Sequence, residues 1–463
     1  MEKVKYAGEF EKIVNRIGGI YRSELGLRNA EKYITGLLSP AERKNGWQLS
    51  EEIGESTPYK MQQFLYRGSW SADALRDVTR EYIREEIAEE DGILVLDETG
   101  FLKQGKKSCG VARQYSGTAG RIENCQIGVF LTYTGAKGNA MIDRRLYMPE
   151  EWLKDPARCK EAGVPDEVKF QTKPNIGLEM LEETYNAGFP FTWITGDCIY
   201  GDFRDIRFWA ESVNKRYVMS VSGKEYVWIG FKQHKIGALL KKIPEDAWFE
   251  ASCGNGSKGE RLYEWFINEV NSPNGKGYQR YLLVKRSLSD KDDMRAYICY
   301  APENTPVSEF IRVAGTRWTV ETCFAESKGD VGLDQYEVRS YHGWYKHITL
   351  ACLAHAFLTV LKNKHQDILM ADCEDSELIN AVPITSSLDD FKKSAVCEFQ
   401  QVRFEKSVLA FFRFYFRRCI FLSVGRMAYG TPVYRYLASL ASSTQTSLIY
   451  CVIFTTVILK ELK

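Results

Sequence analysis

Two short apolar runs, each ending at an aspartate, constrain this chain more than anything else in it. Ile93-Leu94-Val95-Leu96 lies between Gly92 and the polar pair Asp97-Glu98. Four consecutive apolar residues without alternation read as a strand covered on both faces. Phe191–Thr195 has the same character, follows Gly188 and ends at Gly196-Asp197. Between the two runs come β-like stretches at 109–115 and 125–133, separated by the glycine-rich segment 116–121. Segment 174–187 then carries Ile176, Leu178, Leu181 and Tyr185 at helical spacing. Strand, strand, strand, helix, strand predicts an α/β core built on a mixed sheet.

The rest of the chain divides by texture. Its 463 residues amount to roughly three domains at about 150 residues each. Residues 1–90 read as an all-α N-terminal domain. Ser39-Pro40-Ala41-Glu42 has the form of a capping box. Beyond it, Leu49–Ile53 ends at Gly54, and a second helix begins at Thr57-Pro58 with Met61, Phe64 and Leu65 on one side. That outline suits a helix-turn-helix unit and an ordinary helical hairpin about equally. Its 14 basic and 16 acidic side chains do not decide between them. Alternating runs at 261–270, 278–288 and 295–301, broken by turn clusters, predict a β-rich insertion over 217–301. Segment 308–328 turns helical again, and 341–362 is a strongly apolar helix. The expected divisions are therefore 1–90, 91–216, 217–301, 302–365 and a C-terminal region 366–463.

Composition narrows the function classes. An apolar fraction of 44% with 27% charged residues excludes collagen-like, coiled-coil and mainly disordered chains. Net charge is +1, so any nucleic-acid contact must come from local patches. Twelve scattered cysteines without a C-x-x-C pair read as reduced thiols, neither a disulfide framework nor a zinc site. The N-terminus lacks the apolar core of a signal peptide, and the longest late apolar run, Leu448–Leu459, falls short of the roughly 20 residues that span a bilayer. A cytoplasmic protein with no membrane partner is the expectation.

Ligand sites of open α/β sheets lie outside strand carboxyl ends, where Asp97 and Asp197 both fall. The string RWTVETCFAESK on the later helix adds Arg317, Glu321 and Lys328 at i, i+4 and i+11, which share one helical face. A solvated face with an ordinary Arg–Glu pair is the opposing reading. Glu326 is turned well away from that face, and Trp318, Val320 and Phe324 are expected to be core contacts. Three carboxylates from two strand ends and a helix suit magnesium or manganese, hard cations that favour oxygen ligands. Two ions about 3.5–4 Å apart would serve polynucleotide cleavage, with Arg317 and Lys328 holding phosphates.

LVLDETG, WITGDCIYGD and RWTVETCFAESKGDVGLDQY together resemble the DDE transposases of bacterial insertion sequences. The similarity is to the branch with a β-strand insertion before the glutamate and an R-x-x-x-E-x-x-x-x-x-x-K signature, which Arg317, Glu321 and Lys328 match. The 124 residues from Asp197 to Glu321 leave room for that insertion. ERKNGWQLSEEIGESTPYKMQQFL is similar to the opening domain of this group, so the resemblance covers roughly residues 40–360. It implies an RNase-H-like catalytic domain with Asp97, Asp197 and Glu321 as a metal-binding triad, and cut-and-paste transposition. It also implies double-stranded DNA as partner, both transposon ends and target, a homodimer joining two ends, and association with the nucleoid. Many relatives carry a tyrosine three residues before the arginine, where this chain has Ala314.

Two basic stretches fit DNA tracking. Residues 101–125 hold Lys103, Lys106, Lys107, Arg113 and Arg121 against one acid, and residues 390–440 hold nine basic and three acidic side chains interleaved with aromatics. Two alternatives remain: a transposase-derived DNA-binding protein without cleavage, and a haloacid-dehalogenase-type phosphatase with Asp97 as nucleophile. The phosphatase motif wants a second aspartate where Thr99 stands. Gly254–Gly259 matches a dinucleotide-binding pattern, but lies between β-like runs and is expected to be a hairpin loop. His347 and His355 sit on an apolar helix as packing residues.

Overall fold

The computed structural model describes residues 6–374 except 257–258 and 273–276. The basic stretch 390–440 and the apolar run Leu448–Leu459 lie outside the described residues. The chain opens with helices α1 (Tyr6–Ile17), α2 (Glu24–Leu38), α3 (Gly46–Glu52), α4 (Tyr59–Tyr66) and α5 (Ala72–Glu86). Strands β1 (Ile93–Leu102), β2 (Ala112–Ser116), β3 (Arg121–Gly135) and β4 (Gly138–Leu146) follow. Helices α6 (Glu150–Leu153), α7 (Pro156–Ala162) and α8 (Lys173–Asn186) lead to β5 (Trp193–Gly196), α9 (Cys198–Gly201), α10 (Arg204–Ser212) and β6 (Arg216–Val221). Then come β7 (Tyr226–Ile229), β8 (Lys232–Lys235), α11 (Ile236–Leu240), β9 (Phe249–Gly256), β10 (Gly259–Val270), β11 (Tyr278–Arg286) and β12 (Met294–Pro302). The long helices α12 (Val307–Val331) and α13 (Tyr341–Glu374) close the described chain.

Among the described residues one ten-stranded sheet runs β2-β3-β1-β5-β6-β12-β11-β10-β9, with β4 also paired to β3. β3 serves both β2 and β4 because it is 15 residues long: its first third pairs with β2 and its remainder with β4. β1 is antiparallel to β3 and parallel to β5, and β5 is parallel to β6. This mixed sheet with helices is the α/β, RNase-H-like architecture expected from the sequence, preceded by the helical N-terminal region. The strands read as insertion extend the same sheet, since β12 pairs antiparallel with β6. Gly254–Gly256 closes β9 and Gly259 opens the antiparallel β10, so the glycine pattern lies between strands as expected, with no helix after it.

Alternation along β1 sorts its side chains between two helical layers. Leu96 meets α8 at Gly177, and Glu98 accepts from Lys173 and from Tyr200 of α9. On the other face Phe101 packs edge-on against Phe130, Tyr336 and Trp344. Phe130 in turn meets Phe324 of α12. Ile93–Leu96 are thus almost fully buried, which explains the unbroken apolar run.

Local expectations fail at one place. The capping-box pattern predicts a helix starting at Ser39, but Ser39 closes α2, its hydroxyl donating to the Gly36 carbonyl at 2.7 Å. The next residues, Glu42-Arg43-Lys44-Asn45, contain nothing apolar to bury, so a helix there has no packing to stabilise it. Asn45 caps α3 instead, its Oδ1 accepting from the amides of Trp47 and Gln48. Gly54, at φ +74, ends that stretch in the left-handed region. Leu49, Met61, Phe64 and Leu65 are buried.

The N-terminal helices are held to the sheet by a charge network around Asp143 of β4, whose side chain has 0% exposure. Arg145 reaches its Oδ1 at 2.7 Å and Arg80 its Oδ2 at 3.2 Å, with Arg76 at 3.6 Å. Arg144 donates to Asp73 of α5 and to Thr349 of α13, while Arg145 also pairs with Glu183 of α8. His347 of α13, between Tyr33 and the Gly332 carbonyl, is a packing residue as expected. No described helix is long and apolar enough to cross a membrane, and the eight described cysteines are free.

Asp143→Asn keeps the shape but strips the shared counter-charge from four arginines, Arg76, Arg80, Arg144 and Arg145. Removing one partner of a buried pair costs about 3–5 kcal/mol, so urea denaturation should show a loss of that order. Asp77→Asn, at a 59%-exposed partner of Arg76, should cost less than about 1 kcal/mol. Equal losses in the two variants would refute this account of the network.

Candidate active site

The parallel pairing of β1 with β5 matches Leu96 to Gly196, which sets Asp97 and Asp197 one step further on at the same level of the sheet. Asp197 follows the end of β5 as expected, but Asp97 lies within β1 and not at its end, because β3 goes on pairing with β1 from Asp97 to Leu102. Each backbone secures its own carboxylate. The Glu98 amide donates to Asp97 Oδ1 at 2.8 Å, and the Ile199 amide donates to Asp197 Oδ1 at 2.8 Å, making Asp197 the N-cap of the short helix α9.

Helix α12 brings the third group. It crosses the same face of the sheet, and its close approach to edge strand β9 requires Gly315: a Cβ there would stand 2.4 Å from the Cys253 carbonyl oxygen. Two residues on, Arg317 is close enough to both aspartates to stabilise their charged forms. The guanidinium also lies 3.5 Å from Glu321 Oε1, with Glu321 51% exposed. Val320 and Phe324 are buried as expected, but Trp318 is 45% exposed. The helix meets the sheet there at its last strand, so Trp318 has no further strand to pack on and lies 5.9 Å from the Arg261 guanidinium.

Electrostatics at the pair are unfavourable. Burial pushes the Asp97 carboxyl up to about 7; Glu98 and Asp197 add to the shift and Arg317 opposes it. Asp197 is raised as well, by burial and then by Glu98, against the Ile199 amide and Arg317. Glu98 escaped the sequence reading although it adjoins Asp97. Its side chain points to the opposite face, where Lys173 at 2.8 Å and the Tyr200 hydroxyl at 2.7 Å hold it. The DET string offers no sign of that partnership, because Lys173 and Tyr200 come from elements more than seventy residues away.

The remaining candidates lie further along. Lys328 of α12 reaches Thr99, two residues past Asp97 on the same face of β1: its Nζ donates to Thr99 Oγ1 at 2.8 Å and to Thr118 Oγ1 at 2.9 Å, and burial lowers its pKa. Lys103 follows the end of β1, with Nζ 3.6 Å above the Tyr336 ring and its pKa brought down to about 8 by burial. Lys106 and Lys107 are exposed in the loop beyond, and Lys107 pairs with Glu161 at 2.6 Å. The structure thus sets Arg317 beside Asp97 and Asp197 and pairs it with Glu321, brings Lys328 to β1 nearby, and leaves Lys103, Lys106 and Lys107 outside the cluster.

A hard divalent cation fits this donor set. The oxygens are carboxylates, and the two aspartates raise each other's cost of ionisation, a cost that a cation removes. Among the described residues no three His, Cys, Asp or Glu side chains stand ready as a metal cage, and Glu321 lies 3.5 Å from Arg317.

An aspartate whose folded pKa is raised stabilises the fold below its unfolded value, near 4, and that stability is lost as pH rises through the folded value, about 7 for Asp97. In EDTA the thermal midpoint should therefore fall between pH 5 and pH 8, and Asp97→Asn should flatten the fall. Parallel curves for the two proteins would contradict it. Magnesium should raise the wild-type midpoint at pH 8 more than at pH 5.

Comparison with known proteins adds a family match and a relative. A family model described as "DDE superfamily endonuclease" matches residues 22–236, a stretch that contains both aspartates and stops before Glu321. A protein of Microchaete diplosiphon, described as a probable transposase for insertion sequence element IS701, is 26% identical over 318 residues. The aligned part is 67% of this chain and 77% of the relative. Family match, relative and fold together show the similarity of this chain to the DDE transposases of insertion sequences.

Proposed function

We propose that this chain is a DNA transposase that cleaves the ends of its own insertion sequence and joins them to target DNA in a metal-dependent reaction. One observation carries the reading: two aspartates side by side where the parallel ladder of β1 and β5 ends, beneath the Arg317–Glu321 turn of α12. Asp97, Asp197 and Glu321 would hold two magnesium or manganese ions. When bound, such ions lower the pKa of an attacking water or hydroxyl and neutralise the leaving oxygen.

The side chains then have separable tasks. Arg317 favours the ionised forms of Asp97 and Asp197, which keeps them competent as ligands near neutral pH. A DNA phosphate drawn to Arg317 would free Glu321 to turn toward the aspartates. Lys328, anchored on Thr99 and Thr118, fixes α12 against β1 and presents a cation beside the scissile region. We assign DNA binding also to Lys103, Lys106 and Lys107 and to the helical residues 1–90. The strands within 217–301 are read as the insertion, 91–216 and 302–365 as the catalytic domain, and a homodimer on DNA as the working form. Cytoplasmic, nucleoid-associated action follows from the DNA substrate.

The test is cleavage of a labelled duplex carrying the element's end, in magnesium and in EDTA. Nicking should require the metal and disappear in Asp97→Asn, Asp197→Asn and Glu321→Gln while duplex binding persists. Duplex binding without nicking by the wild type would favour a DNA-binding protein that has lost cleavage, the reading to which the Arg317-bound posture of Glu321 lends support. Stable phosphorylation of Asp97 would favour the phosphatase. Light scattering of the end complex should give two chains per assembly, and one chain would refute the homodimer.

A further inference from the structure

Strand β11 carries three cations near its centre and ends, and the sheet treats them differently. Arg280 pairs with Glu211, and Arg286 pairs with Glu245 and Glu264. Lys285 precedes Arg286 and so points to the opposite face, the one that α12 crosses. Among the described residues it has no carboxylate partner, and it rests on the Tyr263 ring at 4.2 Å. In the antiparallel register its direct neighbours are Trp265 on β10 and Arg295 on β12.

Like charges directly opposite across a ladder destabilise a sheet. Arg295 is exposed and likewise unpaired with any acid among the described residues. Arg261 of β10 adds a third cation. Its guanidinium donates only to backbone, to the carbonyls of Cys253 and Gly315, and lies beside Trp318. Arg317 completes the group, for it and Arg261 both act on Lys285, whose pKa is lowered first by burial and then by Arg295, Arg261 and Arg317. Four cations thus repel one another on one face, where Glu321 at 3.5 Å from Arg317 is the paired acid, and the other face of the same strands is neutralised residue by residue.

We propose that Arg261, Lys285 and Arg295 form, with Arg317, a cradle for the phosphate backbone of the DNA strand led to Asp97 and Asp197, a proposal that rests on the transposase reading. Mutual repulsion in the free protein is relieved when phosphates enter, and burial of Lys285 against Tyr263 strengthens its attraction for them. The contacts are to phosphate and so are independent of base sequence. The exposed Trp318 and half-buried Tyr263 form the apolar floor on which the cations lie. Extending the sheet through β12, β11 and β10 therefore lengthens the DNA track away from the carboxylates.

The experiment is a salt titration of duplex binding by the full chain, followed by fluorescence anisotropy of a labelled duplex. Each phosphate neutralised contributes about 0.9 to the slope of log affinity against log salt. Lys285→Gln and Arg295→Gln should each make the slope shallower by about 0.9, and the double variant by about twice that. Arg312→Gln, whose guanidinium is exposed and paired with Glu309, should leave it unchanged. In DNA-free buffer the double variant should melt no lower than the wild type, since it removes a repulsion. An unchanged slope with intact wild-type binding would overturn the cradle alone, and so would a lower melting temperature, which would make the cations structural. Absence of duplex binding by the wild type would overturn the cradle and the transposase reading together.

Discussion

Burial of β1 on both faces is the constraint on which the rest of the structure depends. A strand without a solvated face must have helices above and below it, and α8 and α9 meet one side at Leu96 and Glu98 while α12 covers the other. Its backbone must also be paired at both edges, by β3 and by β5. Polar chemistry can then enter only where the apolar run stops, at its carboxyl end. Asp97 stands there, and the parallel partner β5 brings Asp197 to the same level. The site is thus a consequence of how the strand is buried, and the carboxylates inherit the low polarity that makes their charged forms costly.

Charge is handled in two ways in this molecule. Where structure is to be held, each buried charge is surrounded by opposite ones: Asp143 by arginines, Glu225 by Arg204 and Arg207, Glu211 by Arg280 and Tyr217. Beneath α12 the rule changes. Carboxylates stand beside carboxylates where the ladder of β1 and β5 ends, and cations stand beside cations on β11 and β12. Such arrangements lower the stability of the free protein and gain when a ligand of the opposite sign arrives. The contrast within β11, with Arg286 neutralised on one face and Lys285 left unpaired on the other, makes that difference local and physical.

Much of the fold was legible in the chain. Unbroken apolar runs marked β1 and β5, alternation marked β10 to β12, and 3.6-residue periodicity marked α8, α12 and α13, because burial on two faces, one face or one stripe leaves these different patterns. Shorter or mostly polar elements were not legible. β7 and β8 are four residues each, and the edge strand β9 buries too little to show a period. Ser39 illustrates the limit of local signals, since a capping pattern without an apolar face to follow it does not nucleate a helix. Trp318 shows the converse: an aromatic at helical spacing is core only if the sheet extends beneath it.

The sequence by itself determined the α/β class, the position of Asp97 and Asp197 directly after buried apolar runs, and the common face of Arg317 and Glu321, since these follow from apolar patterning and the 3.6-residue period within single elements. Only the tertiary structure decided that Glu98 is held by Lys173 and Tyr200, that Lys328 bonds to Thr99 and Thr118, and that Lys285 faces Arg295. Each of those contacts joins residues from different elements. Their pairing depends on strand register and on the depth to which α12 settles over Gly315, and neither leaves a trace in the order of residues along one segment.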